Sequence, residues 1–283
     1  MGASVDEEFL VREFGKAEEA GEESVRGFLA KHLNVEIGLA LMSDRWAGAD
    51  FWEQQADDSI TLDAMFERCS VLVVAADGGG HDDLYGVTLL GREKESGDLL
   101  SWSHAWALPI VLERRKDIAQ RLRDFQQAGD LTIVQKIEEA CAAFVALVQR
   151  ADAAGLLGSL QEGKKRAIGV DTACIKQTLD ALNDAGYPDD QIIGVSQGWR
   201  LMAAIKSTEL YLSSEALRHA PQPLMNWCAG NAKVEPKANA VLITKQASGS
   251  AKIDPLMSLF TAVEVMSMSP AAVGRSFWEV TEA

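Results

Sequence analysis

Three aspartates stand where an apolar segment stops or starts. Asp77 ends the run Val71–Ala76 in VLVVAADGGGHDDLYGVTLLG, Asp171 ends RAIGV, and Asp254 stands immediately before Pro255, a favoured first helical residue. A second acidic pair, Asp82 and Asp83, follows the glycines after Asp77. Each acid has an ordinary explanation: Asp after a strand is a common turn residue, and Asp before a helix is a common cap. Together they allow more. Two adjacent parallel strands can aim carboxylates at one C-terminal edge, and a helix N-terminus can bring in a third. Carboxylates gathered in this way repel one another unless cations neutralise them. Hard oxygen ligands suit Mg²⁺ or Mn²⁺, and two such ions roughly 4 Å apart activate water and stabilise the leaving oxygen in phosphodiester cleavage. In that chemistry a rigid buried strand holds Asp77 at a metal site, and the glycines let backbone and substrate come close.

Other chemistries have weaker support. GSLQEGKK, Gly158 to Lys165, nearly fits a phosphate-binding loop, but it has Lys165 where the magnesium-holding hydroxyl belongs and no strand feeds it. DGGGHD lacks the dinucleotide spacing and a following helix. Ser196 in GVSQG has the wrong flanks for a nucleophile elbow. His32, His81, His104 and His219 lack metal-ligand spacing.

The elements that must position the acids follow from periodicity. Residues 5–33 predict two helices with an acidic side, interrupted at Gly15 and Gly21. Residues 34–68 predict a loop region that docks through Trp46 and Trp52. From Val71 the pattern is α/β, with strands at 71–76, 84–91 and 99–107 forming an antiparallel meander. A helix is predicted over 111–127, ended by Gly129, then a strand at LTIV and a helix over 136–150. Residues 151–165 predict a loop, and RAIGV a strand parallel to 71–76. A helix over 172–185, a strand at QIIGV, a helix from about Gly198, a strand over 241–244 and a polar loop over 246–251 follow. A last helix carries the stripe Leu256, Leu259, Phe260, Val263 and Met266.

Composition narrows the field. With 283 residues, 47% of them hydrophobic, the chain can hold one large domain or one domain plus a small module. Cys69, Cys141, Cys174 and Cys228 are scattered and predict buried reduced thiols rather than a disulfide or zinc framework. Neither a bilayer-spanning run nor a signal-peptide pattern is present, so a membrane role is not expected. A net charge of −15 argues against a constitutive DNA-binding surface, which needs Lys and Arg.

Over nearly its whole length the sequence resembles the C-terminal nuclease part of the large terminase subunit of tailed bacteriophages. FLAKHLN (28–34) resembles the segment after that family's ATPase domain. VVAADGGGHDDLYGVTLLG resembles its first nuclease motif, a strand ending in Asp77 with a second acid, Asp83, six residues on. IGVDTACIKQTLDAL resembles the second motif and places its acid at Asp171. The segment from Leu217 to Met266 resembles the C-terminal signature, with Asn231, Lys245 and Asp254. The Gly-Gly-Gly-His stretch, and Asp82 beside Asp83, depart from the usual first motif and leave open which of the two acids assists a second ion.

The resemblance implies a ribonuclease H-like α/β fold, a mixed sheet with helices on both faces. It implies a helical linker over 1–68 and a nuclease domain over 69–283. It also implies an endonuclease using two Mg²⁺ or Mn²⁺ ions to cut concatemeric viral DNA, with Asp77, Asp83, Asp171 and Asp254 as metal ligands. Lys245, at the start of the polar loop before Asp254, is expected to meet the scissile phosphate, the alternative being an ordinary surface connection. Implied partners are double-stranded DNA, the small terminase subunit, the portal protein and the ATPase domain, in the host cytoplasm. The chain lacks a P-loop, so it reads as a fragment cut after the ATPase domain, with no ATPase activity of its own. Lys245, Lys252, Lys164, Lys165 and Arg166 are the expected phosphate contacts, with Lys252 acting mainly in binding. A silent docking module of the motor, or a resolvase-type nuclease of the same fold, are the alternatives.

Overall fold

The structure, a computed structural model, describes residues 7–20, 25, 45–78, 80–173, 176–237, 240–245 and 251–272. The chain divides into two compact units, Met1–Arg45 and Trp46–Ala283. In the first, α1 (Glu7–Ala20) forms in the acidic periodic segment but runs unbroken through Gly15, where an interruption is expected, because a lone glycine weakens a helix without ending it. The helix predicted up to residue 33 and the FLAKHLN segment lie outside the described residues, apart from Val25.

The contacts divide the chain before Trp46, whereas the sequence pattern changes after residue 68. Trp46, Trp52, Ile60 and Met65 are buried in the core of the second unit, so residues 46–68 belong to it. Here α2 (Ala49–Trp52) is short, and α3 (Leu62–Arg68) starts at Thr61, whose hydroxyl accepts from the Ala64 amide at 3.1 Å.

The meander follows as the alternating apolar runs predict: β1 (Cys69–Gly78), β2 (Tyr85–Glu93) and β3 (Leu99–Ala107), antiparallel throughout. The single helix expected over 111–127 is two, α4 (Pro109–Arg114) and α5 (Ala119–Ala128). The chain leaves helical geometry at Arg115, whose guanidinium reaches across to Asp82. Gly129 closes α5 in the left-handed conformation, φ 87°. Next come β4 (Leu131–Ile133) and α6 (Ile137–Ala153). The stretch predicted as a loop contains a hairpin of β5 (Gly158–Leu160) and β6 (Lys165–Arg166), turning through Gly163 at φ 90°, so GSLQEGKK is a strand turn. The order continues with β7 (Ile168–Asp171), α7 (Lys176–Asp184), β8 (Ile193–Val195), α8 (Met202–Ser213), β9 (Leu217–His219) and α9 (Pro223–Asn231). A separate hairpin of β10 (Ala232–Lys237) and β11 (Ala240–Lys245) precedes α10 (Asp254–Ser267) and β12 (Ala271–Ala272).

The seven-stranded sheet has the order β4-β3-β2-β1-β7-β8, with β9 also on β3. The pairs β1–β7, β7–β8, β3–β4 and β3–β9 are parallel. Alternation along β1 gives the sheet two faces. Val71, Val73 and Ala75 join the core that contains α10, whereas Leu72, Val74 and Ala76 join the core built with α6 and α7. The apolar stripe expected on α10 is exceeded, because Pro255–Val263, Val265 and Met266 are all buried. The helix is enclosed by the sheet on one side and by α8 and α9 on the other. Cys69, Cys141 and Cys228 are free and buried, as predicted; Cys174 lies outside the described residues.

Candidate functional site

The site is set by parity. Residues of β1 with odd numbers face α10, so Asp77 projects from the face of Val73 and Ala75. In β7 the same face carries Gly169, and therefore Asp171. Ala76 pairs with Val170, which brings Asp77 and Asp171 side by side at the C-terminal ends of two parallel strands. The third acid arrives with α10. Asp254 is the first residue of that helix rather than its cap, which is Ile253, so its carboxylate lies at the positive end of the helix dipole. A Cβ built on Gly78 would lie 3.3 Å from the Cβ of Asp254.

This approach depends on a glycine. Gly86 pairs with Asp77 in the neighbouring strand. A Cβ on Gly86 would lie 2.6 Å from the nitrogen of Pro255 and 2.7 Å from its Cα, so only hydrogen fits there. Behind the contact, the hydroxyls of Ser103, Thr88 and Ser258 form a buried row at 2.9 and 2.7 Å, tying α10 to the sheet.

Electrostatics mark Asp77 as the centre of the group. It is 5% exposed. Burial pushes its carboxyl well above the usual carboxylate range, and the charges of Asp254, Asp171 and Asp83 push it further, while a hydrogen bond from the Gln197 amide opposes them. Gln197 reaches Asp77 from the loop after β8, which pairs with β7.

The two turn acids are held differently. Asp82 takes a fork from Arg115, Nε to Oδ1 at 3.0 Å and Nη2 to Oδ2 at 2.6 Å. That guanidinium lowers the Asp82 carboxyl pKa. Asp83 Oδ1 accepts from Lys252 Nζ at 2.6 Å, and the same ammonium donates to the Asp82 carbonyl. Asn231 holds the backbone of Lys252 through Nδ2 to the carbonyl, 3.1 Å.

Several expected phosphate contacts fall elsewhere. Lys252 is 1% exposed and spends its charge inside the protein, so it is not a surface contact for DNA. Lys165 Nζ donates to the Ile192 carbonyl, and Arg166 is paired with Asp152. Lys164 is exposed. The backbone of Lys245 ends β11 opposite Ala232; its side chain, and loop residues 246–250, lie outside the described residues.

Asp77, Asp171 and Asp254 form a donor set that fits a hard divalent cation by its chemistry, an anionic group of oxygens whose central member is destabilised as an anion. As placed, they are not closed around a single point: among the described residues no set of three or more His, Cys, Asp or Glu side chains is spaced to hold an ion. Asp83 fits less well, because Lys252 already engages it.

Three residues near the site escape sequence reasoning. Gln197 sits in GVSQG, where attention goes to the serine. Gly86 carries a readable signal, a glycine inside a strand, which marks close backbone approach. Trp199, 65% exposed, follows Gln197 by two residues, with the Arg200 guanidinium 5.4 Å from its ring centre; no spacing rule singles it out.

The mixed sheet of this order has the ribonuclease H-like fold. Comparison with solved structures shows a shared fold. The large terminase of bacteriophage HK97 matches with a TM-score of 0.59 and 18% identity over 93% of this chain. The chain spans about half the length, 51%, of that protein. The large terminase nuclease of thermophilic phage G20c, solved with bound magnesium, matches with a TM-score of 0.47 and 12% identity over 79% of this chain and 98% of its own. The nuclease domain of the bacteriophage SPP1 large terminase, with bound manganese, gives 0.41 and 14% over 74% and 94%. No protein-family model and no curated protein matches the sequence.

Proposed function

We propose that this chain is a divalent-metal-dependent DNA endonuclease that cuts viral DNA during genome packaging. The observation that carries the reading is the meeting of Asp77 and Asp171 on one face at the ends of paired parallel strands, with Asp254 brought in by α10. Bound at these carboxylates, a divalent cation would supply charge for the leaving oxygen and an acidified water. The protein's own part is to fix the donors. Gln197 holds the Asp77 carboxylate in place, Gly86 lets Asp254 approach it, and the hydroxyl row from Ser103 to Ser258 keeps α10 from sliding. Lys245, at the end of β11, is proposed to meet the scissile phosphate, and Lys245→Ala should lower the cleavage rate by roughly 10²-fold, as the loss of one electrostatic donor does. The small terminase subunit, the portal and an ATPase domain are the proposed neighbours, in the host cytoplasm.

The test is a supercoiled plasmid incubated with the purified chain. Nicking with Mn²⁺, none with EDTA, and none by folded Asp77→Asn is the expected pattern. Cutting by Asp77→Asn at the wild-type rate overturns the assignment. An inert wild-type chain with every metal favours the docking role instead.

A further inference from the structure

We infer that Lys252 takes the place of a second divalent ion, so that the site works with one metal ion and one built-in ammonium. The inference rests on the nuclease reading and alters its stoichiometry.

Lys252 lies two residues before Asp254, yet it is almost completely buried. Its ammonium meets Asp83 Oδ1 at 2.6 Å and the carbonyl of Asp82. Asp83 lies on the turn that joins the Asp77 end of β1 to β2, so the ammonium stands on the turn side of the acidic group. A lysine so buried is tolerated only with an anion beside it. If Asp83 turned away to ligate an ion, it would leave that charge uncompensated, and the ion would stand near a fixed positive group. Both effects oppose a second divalent cation at Asp83. The lysine is not loosely placed. Asn231 fixes its carbonyl from α9, and the fork between Arg115 and Asp82 fixes the turn it grips. An ammonium is a compact point charge, and two protein oxygens hold this one in place. It therefore suits the task of offsetting negative charge at a set point beside the metal.

Counting bound ions tests this. Mn²⁺ would be titrated into the metal-free chain, the free ion followed by its EPR signal, for the wild type, Asp83→Asn and Lys252→Met. The wild type should bind one ion. Asp83→Asn, which keeps an oxygen for the ammonium, should also bind one. Lys252→Met, freeing Asp83, should bind two and cut poorly. Two ions in the wild type, or the loss of an ion in Asp83→Asn, overturns the inference while the nuclease reading stands. A count that stays at one in folded Lys252→Met also overturns it. If Lys252→Met does not fold, the wild-type and Asp83→Asn counts decide. A wild type that binds no ion and cuts no DNA ends both readings together.

Discussion

On the face covered by α6 and α7, the sheet presents Leu72, Val74, Ala76, Val87 and Leu89 to a core holding Phe144, Val148 and Leu182. The polar contacts there include the hydroxyl pair of Tyr85 and Thr178 at 3.1 Å. On the face covered by α10, matching positions of the strands are Gly86, Thr88, Ser103 and Gly169. Gly169 would place a Cβ 2.9 Å from Val265, so here again a side chain is given up for closeness. The first face gains its contacts from large side chains in mutual contact. The second gives up side-chain volume so that a helix start can lie beside Asp77. Stability and positioning are thus divided between the two faces, and substitutions on each should separate them.

The largest effect is expected on the first face. Phe144→Ala should cost about 3–5 kcal/mol in a urea melt, through lost burial and a cavity, while cleavage per folded molecule is kept. Loss of cleavage in the folded fraction would break the division. Gly86→Ala should cost less, about 1–3 kcal/mol, because the added methyl meets the backbone of Pro255, which cannot rotate away. It should nevertheless abolish cutting by displacing Asp254, and wild-type cutting would show that the closeness has no role.

Asp77→Asn should change stability in the opposite direction. Burial, then Asp254, Asp171 and Asp83, hold the Asp77 carboxyl well above its ordinary value. Between the unfolded and folded pKa the native chain binds the extra proton, so stability present at acid pH is lost as pH rises through the folded pKa. The variant removes that slope and should melt higher than the metal-free wild type at neutral pH. Equal melting temperatures across the pH range would contradict the buried-acid account. The smallest effect on stability belongs to Trp199→Ala, within about 0.5 kcal/mol for an exposed side chain. It should still weaken DNA binding in a gel-shift titration, because an exposed indole beside Arg200, two residues after the Gln197 that reaches Asp77, offers a stacking surface. Unchanged affinity would remove Trp199 from the DNA-binding surface.

How much of this was legible in the sequence differed by element. The strands β1 to β3 and β7 announce themselves as apolar runs bounded by Gly and Asp, and the placing of Asp77 beside Asp171 follows once they pair in parallel. The short pieces do not announce themselves. β9 and β5 have three residues each, too few for a period to show, and α9, PLMNWCAGN, buries Leu224, Met225, Cys228 and Ala229 within only nine residues, too short a run to stand out. Residues 34–68 have little periodicity, yet Trp46 lies edge-on to Phe260 at 5.1 Å in the core. Tertiary packing, not local pattern, orders its described part, residues 45–68. Lys252 misleads most plainly. In KQASGSAKID it has the look of a solvated loop cation, and only the turn at Asp82–Asp83, about 170 residues earlier in the chain, draws it inside.

The enclosure of α10 has a consequence for how the chain comes to be folded. Ser258 and Thr88, joined by a hydrogen bond, are 170 residues apart. The meander can pair as soon as it is made, but one of its faces has no cover until α10 has been synthesised. For most of translation that face must remain open, or be shielded by a chaperone. Contacts so distant in sequence also slow the search for the native state. Refolding from urea should accordingly show a late phase in which the α10 face closes, after the hairpins have formed.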